Sequence, residues 1–327
     1  MNTRFVRILN AIAPFFGLAV VIGLFSIKPE VREAFLTVSN FKLIVTQTVI
    51  VGVGALGMTL IIISAGIDLS VGSVVALTSV LGAVVLKNGH APALAIAACV
   101  LAGGLLGLIN GTFVSALRIT PFIVTLGMMG IARGSAKWFA DEQTVSIPAT
   151  WIDDAMRPFP AWGETFPDWL QWTRVAPGVW LAVALVVAMI VVMRNTIFGR
   201  YVFAIGSNES TATLCGIRVW LMKPLIYTCA GLFFGLAGLM QLARLHQGDP
   251  TSAAGLELDI IAAVVVGGAS LNGGSGSILG SIIGALIMAV LRNGSQQMGW
   301  PTYVQEIIIG CVIILAVTLD KFRHVRG

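Results

Sequence analysis

Residues 224–243 read Pro224-Leu-Ile-Tyr-Thr-Cys-Ala-Gly-Leu-Phe-Phe-Gly-Leu-Ala-Gly-Leu-Met-Gln-Leu-Ala243, and this run decides the solvent in which the protein lives. It carries no charge, and about 20 mainly apolar residues in a helix cross roughly 30 Å of hydrocarbon. Residues 119–137 form a second apolar run, with Arg133 and Lys137 near its end. A membrane β-barrel shows segments of roughly ten residues alternating polar and apolar, so the barrel is excluded. Comparable runs occur at 11–27, 42–64, 70–86, 91–117, 178–193, 258–272, 276–291 and 302–319. The sequence predicts an all-α polytopic membrane bundle of about ten spans, in one domain over residues 1–327.

Composition agrees. Of the 327 residues 57% are hydrophobic and 11% charged, against roughly a quarter charged in an ordinary soluble domain. A net charge of +5 and a pI near 9.3 raise the question of nucleic acid. The basic residues stand singly or in pairs without an aromatic-basic stripe, so no nucleic-acid partner is expected, and membrane orientation accounts for them better. Cys99, Cys229 and Cys311 fall in apolar runs and Cys215 in a polar loop, with no spacing that suggests a disulfide framework or a metal site. Arg4 and Arg7 before residues 11–27 resemble a secretion signal, but no small-residue cleavage pattern precedes Lys28, which keeps this segment as the first span.

Proline at or beside the first helical position costs no hydrogen bond, which predicts helix starts at Pro92, Pro121, Pro224 and Pro301, with Thr120 as an N-cap. With the N-terminus inside, Arg118, Arg194, Arg200, Arg218, Lys223, Lys321, Arg323 and Arg326 fall in the cytoplasm, and both termini are cytoplasmic. Lys and Arg nonetheless divide equally between the two sides. The assignment rests on the short inner loop and the tail being nearly free of acids, whereas acids dilute the basic residues of the long outer loop. That external loop, 138–177, carries Trp138, Trp151, Trp162, Trp169 and Trp172. Such a segment is either an interfacial helix with aromatic anchors, the simpler reading, or a docking lip for a delivery protein.

The chain also resembles itself. Gly66-Ile-Asp-Leu-Ser-Val-Gly-Ser73 aligns with Gly268-Ala-Ser-Leu-Asn-Gly-Gly-Ser275 at Gly, Leu, Gly and Ser, and the match runs on through Ser79 with Ser281, Gly82 with Gly284 and Ala83 with Ala285. Two related halves, each with a helix interrupted by a polar break, are predicted. Unwound backbone cannot face lipid but can line a wet cavity, and transporters place substrate at such interruptions. The pathway candidates are therefore Gln47, Asp68, Ser70, Asn110, Ser270, Asn272 and Asn293, whose amides, hydroxyls and carboxylate suit a hydroxyl-rich solute; helix–helix hydrogen bonds are an equal use for them. Asp68 either contacts the path or N-caps a helix starting near Leu69.

Nothing in the sequence supports chemistry on this chain. Gly268–Ser275 has the spacing of a phosphate loop, but Gly274 stands where lysine is needed. His90, His246 and His324 fall in separate loops or the tail, which assembles neither a metal helix nor a catalytic triad. No cofactor and no metal are expected. In the loop 194–223 a short helix is predicted, N-capped by Ser207 or Asn208, with Glu209 at its positive end and Gly216 closing it.

That loop, with Phe198-Gly-Arg200 and Ala204-Ile-Gly-Ser-Asn208, together with Gly66–Ser73 and Glu257-Leu-Asp259 followed by Gly267–Gly274, resembles the ribose-type permeases of ATP-binding-cassette importers over nearly the whole chain. The resemblance implies a bacterial inner-membrane subunit paired with a second permease, in a homodimer or related heterodimer. It also implies a separate cytoplasmic ATPase holding ATP and Mg, and a periplasmic binding protein that delivers a monosaccharide. On that resemblance Arg200, Gly206, Ser207, Asn208, Glu209 and Gly216 are coupling candidates; Ser207, where a second glycine is common, departs from the pattern. The alternative is a secondary carrier or facilitator for a small polar solute.

Overall fold

The computed structural model describes residues 3–157 and 173–325. They form thirteen α-helices: α1 (Thr3–Phe25), α2 (Pro29–Phe35), α3 (Val38–Ile63), α4 (Val71–Lys87), α5 (Pro92–Ala116), α6 (Pro121–Phe139), α7 (Pro177–Asn195), α8 (Ile197–Ser207), α9 (Glu209–Leu214), α10 (Val219–Leu245), α11 (Leu256–Val266), α12 (Ile278–Gln297) and α13 (Thr302–Val325). Among the described residues 5 helices, α3, α5, α7, α10 and α12, are long and apolar enough to cross a membrane, and shorter apolar helices accompany them. The protein is a multi-pass helical membrane bundle.

α3 is apolar all round and almost wholly buried, the arrangement expected of a central post. α5 and α7 instead turn rows spaced like Leu101, Leu105 and Leu108, or Val183, Val187 and Val191, outward. In lipid no hydrophobic force holds helices together, so close backbone approach through small residues must. α5 presents Gly103, Gly107 and Gly111 to Gly231, Gly235 and the Pro224–Tyr227 turn of α10, where added β-carbons would strike backbone. α11 and α12 meet in the same way, Gly267 on Gly280 and Ala263 on Gly284. A hydroxyl pair, Thr59 Oγ1 donating to Ser281 Oγ at 2.7 Å, ties α3 to α12.

Several expectations need correction. α10 begins at Val219, so Pro224 lies inside the helix. The ring removes the N–H that would bond the carbonyl of residue 220, and Ser115 Oγ donates to Trp220 O at 3.0 Å instead. The run 258–272 is helical only as α11, which ends at Val266; at about 1.5 Å per residue it reaches roughly half the hydrocarbon thickness. The loop 194–223 holds two helices, α8 and α9, rather than one. α2 was not expected; it is a short helix between the first two apolar runs. Thr120 occupies the cap position of α6 without making a side-chain cap bond.

One two-stranded antiparallel pair, β1 (Val145–Ser146) with β2 (Gln247–Gly248), pins the start of the long loop to the chain after α10. In that loop Trp138 and Trp151 are exposed. Beyond β1, the described part holds a short 3-10 helix at Asp153–Met156. Trp162, Trp169, Trp172 and Arg326 lie outside the described residues.

Candidate functional site

The chain leaves the helical path at residues 64–70, between α3 and α4, and at 267–277, between α11 and α12, and the fold brings these two interruptions together. Gly274 N donates to Ile63 O at 2.9 Å, which joins the second break to the end of α3. Gly274 takes φ +70 there, a left-handed conformation that glycine adopts without strain. The end of α8 is seated on the same junction: a β-carbon on Gly206 would collide with the Ile63 carbonyl and with Gly274 N, and one on Gly274 would meet Ser207.

Backbone freed by a break must find partners, because an orphaned group in hydrocarbon costs several kcal/mol. In the first break Gly66 N donates to Ile61 O at 2.9 Å. Leu69 N donates to Thr125 Oγ1 of α6 at 3.2 Å, and the same hydroxyl reaches Ile67 O at 3.3 Å. In the second, Ala269 N bonds Val264 O at 3.1 Å, Ser270 N bonds Ser275 O at 3.1 Å and Gly273 N bonds Ser270 O at 3.0 Å.

Asp68 is sealed at 1% exposure. Its Oδ1 accepts from Ser70 N at 2.7 Å and Ser70 Oγ at 2.6 Å, and its Oδ2 accepts from Asn110 Nδ2 at 3.3 Å. Of its two possible roles, it does not take the N-cap position. α4 starts at Val71 with Ser70 in the cap position and no side-chain cap bond, so the carboxylate holds the turn before the helix. Asn110 Nδ2 also reaches Ser70 Oγ at 3.2 Å, which fastens α5 to this turn.

Of the remaining candidates, Ser270 is buried inside the second break and Asn272 exposed on its rim. Asn293 is buried on α12, accepting from Gln297 Nε2 at 3.2 Å. Gln47 lies at the other end of the bundle, where it lines a cavity of about 210 Å³ between α3, α10, α11 and α12. The fold therefore gathers Asp68, Ser70 and Asn110, sets Ser270 and Asn272 on the facing break, and keeps Gln47 and Asn293 apart.

The cavity exposes what sequence reading missed. Its other polar walls are Gln241, Arg244, Asp259, Arg292 and Gln296. Asp259 is buried and ion-paired with Arg292. The available signal was an arginine at the end of each of two apolar runs, with Asp259 at the start of a third; nothing in linear order says that these ends converge.

In the loop, Asn208 caps α9, its Oδ1 accepting from Thr211 N at 2.8 Å, while Ser207 is the last residue of α8. Gly216 stands past the end of α9 at φ +86. Glu209 pairs with Lys223 at 2.7 Å. Arg200 is exposed on α8. Among the described residues no group of three His, Cys, Asp or Glu side chains is placed to hold a metal ion. The Gly268–Ser275 turn is packed against Ala65 and the end of α8.

A lipid-facing bundle with two apposed helix breaks on one end and a polar chamber on the other defines a membrane transport protein. Residues 40–317 match the family described as branched-chain amino acid transport system / permease component, and the chain belongs to that family. It is similar to the ribose import permease protein RbsC of Escherichia coli K12, 37% identical over 94% of each chain, and to RbsC of Bacillus subtilis 168, 37% identical over 97% of this chain and 95% of the other. It also resembles the fructose import permease protein FrcC of Rhizobium meliloti, 35% identical over 93% of this chain and 84% of that one. No solved structure matches. The chain is thus the permease component of a transport system, and catalysis is not its part.

Proposed function

We propose that this permease forms the membrane path of an ATP-binding-cassette importer for a monosaccharide, a pentose or hexose of the kind named in its relatives. The observation that carries the reading is the seating of α8 on both breaks through Gly206, Ile63 and Gly274. A push on the α8–α9 loop reaches both interruptions at once, without passing through a flexible linker. Arg200, Gly206, Ser207, Asn208, Glu209 and Gly216 form the lever that a separate ATPase, holding ATP and Mg, would work.

The remaining architecture follows that reading. On that reading the chain crosses ten times, through α1, α3–α7, α10, α11 together with the break that follows it, α12 and α13, and the α8–α9 loop and both termini lie in the cytoplasm of a bacterial inner membrane. Residues 138–177 then face the periplasm, where a sugar-binding protein docks. The breaks are equivalent parts of two repeated halves. A second permease, identical or related, completes the channel. Asp68, Ser70 and Asn110 act as pins of the first break rather than as its lining, since all three are sealed; Ser270, Asn272 and Asn293 serve the second half.

Reconstitution in liposomes tests this. With the cognate ATPase inside and the loaded binding protein outside, sugar uptake should require ATP. Uptake by this chain alone, driven by an imposed proton or sodium gradient and indifferent to the ATPase, would establish the carrier alternative instead. Within the loop, Glu209→Lys should lower coupling while insertion persists. Adding Lys223→Glu restores the ion pair, so recovery of coupling would show that Glu209 serves the loop's own shape and not the ATPase contact.

A further inference from the structure

The end of the bundle remote from the breaks holds a chamber whose polar groups are largely unspent. From the start of α12 to Arg292 the helix rises about 21 Å, so this chamber and the α8 junction sit at opposite ends. Asp259, 1% exposed, is held by Arg292, whose side chain is 46% exposed. Arg244 lines the same space and makes no ion pair or side-chain hydrogen bond among the described residues. The amides of Gln47, Gln241 and Gln296 likewise bond to no other described side chain or backbone group. Apolar walls come from Ile50, Val51, Leu256 and Met288.

These groups converge without satisfying one another. An amide offers both a donor and an acceptor, as each hydroxyl of a sugar does, whereas guanidinium is donor only and carboxylate acceptor only. Three amides, one free guanidinium and an Arg–Asp pair beside apolar wall suit a neutral polyhydroxylated molecule with C–H faces, the usual make-up of a small-ligand site. We infer that this chamber is the subsite that receives the sugar from the outer side, with Gln241 and Arg244 as its hydrogen-bonding specificity residues and the Arg292–Asp259 pair holding the wall. The inference rests on the importer reading and assigns residues to it.

The test uses the full chain in right-side-out vesicles with its ATPase and binding protein. ATP-driven uptake by the parent chain is measured first; its absence would fail the importer reading, not this assignment. Gln241→Cys is then labelled with a membrane-impermeant maleimide, read as the increment over the parent. At least one of D-ribose, D-fructose and L-arabinose should slow labelling several-fold. No protection by any of them, or protection by a sugar acid alone, would overturn the assignment. Separately, Arg244→Met and Gln241→Leu should reduce uptake about tenfold each, the value of one lost hydrogen bond to a charged or amide group, with binding-protein docking unchanged. Should docking be lost instead, Arg244 faces an acid on the delivery protein and the inference falls. Gln296→Leu gives the same reading if Arg244→Met does not insert.

Discussion

Asp68 shows what a single buried carboxyl group requires of its surroundings. No cation lies in an ion pair with it among the described residues; the Ser70 N–H and O–H and the Asn110 amide do that work. Asp68→Ala should therefore strand three donors and lower stability by about 2–3 kcal/mol, seen as a drop in the thermal unfolding midpoint of the detergent-solubilised protein; an unchanged midpoint would mean that the turn does not need the carboxylate. Tyr227 makes the opposite case. Its hydroxyl is buried without a partner, so Tyr227→Phe should be neutral within about 0.5 kcal/mol or slightly stabilising. A clear loss of stability would reveal a bound water or another group at that oxygen.

At the scale of helices, the decisive contacts are between backbones. Gly107 on α5 would drive a side chain into the Tyr227 carbonyl of α10, while Gly127 on α6 has nothing within 4 Å of its would-be β-carbon. Gly107→Val should reduce the yield of folded protein severely, and Gly127→Val should leave it near the parent's, as fluorescence-detected size exclusion will report. Equal effects would refute the α5–α10 seam. Gly206→Ala should behave like Gly107→Val, because the colliding atom is the Ile63 carbonyl and not a movable side chain. The helices themselves were legible, since length and apolarity are local properties: every apolar run contains a helix, although α1 begins at Thr3 and α12 and α13 run on to Gln297 and Val325. The start of α10, at Val219 rather than Pro224, depends on a tertiary contact. Pro224 is tolerated inside α10 because Ser115 of another helix takes up the freed carbonyl, whereas α11 ends locally, at Gly268, whose φ of +94 turns the chain out of the helix.

At the scale of the molecule, the proposed arrangement predicts which face of the membrane each end meets. Cys215, exposed beside α9, should react with an impermeant thiol reagent only from the cytosolic side, and Gln296→Cys at the chamber mouth only from the other. Labelling of both from one side would invert or abolish the ten-crossing path. Lys and Arg counts left this orientation evenly balanced, since they register only the loops and not which loops are packed against one another.

By itself the sequence determined the solvent, the helical class, the family resemblance and the places where helices are interrupted, because hydropathy, glycine spacing and caps act over a few residues. Only the tertiary structure decided that the two interruptions meet, that α8 closes on them, that Asp68 is sealed rather than wet, and that Gln241, Arg244 and Asp259 share a chamber with Gln47. Those facts depend on which helix faces lie within a few ångströms of each other, a matter of packing between segments far apart in the chain.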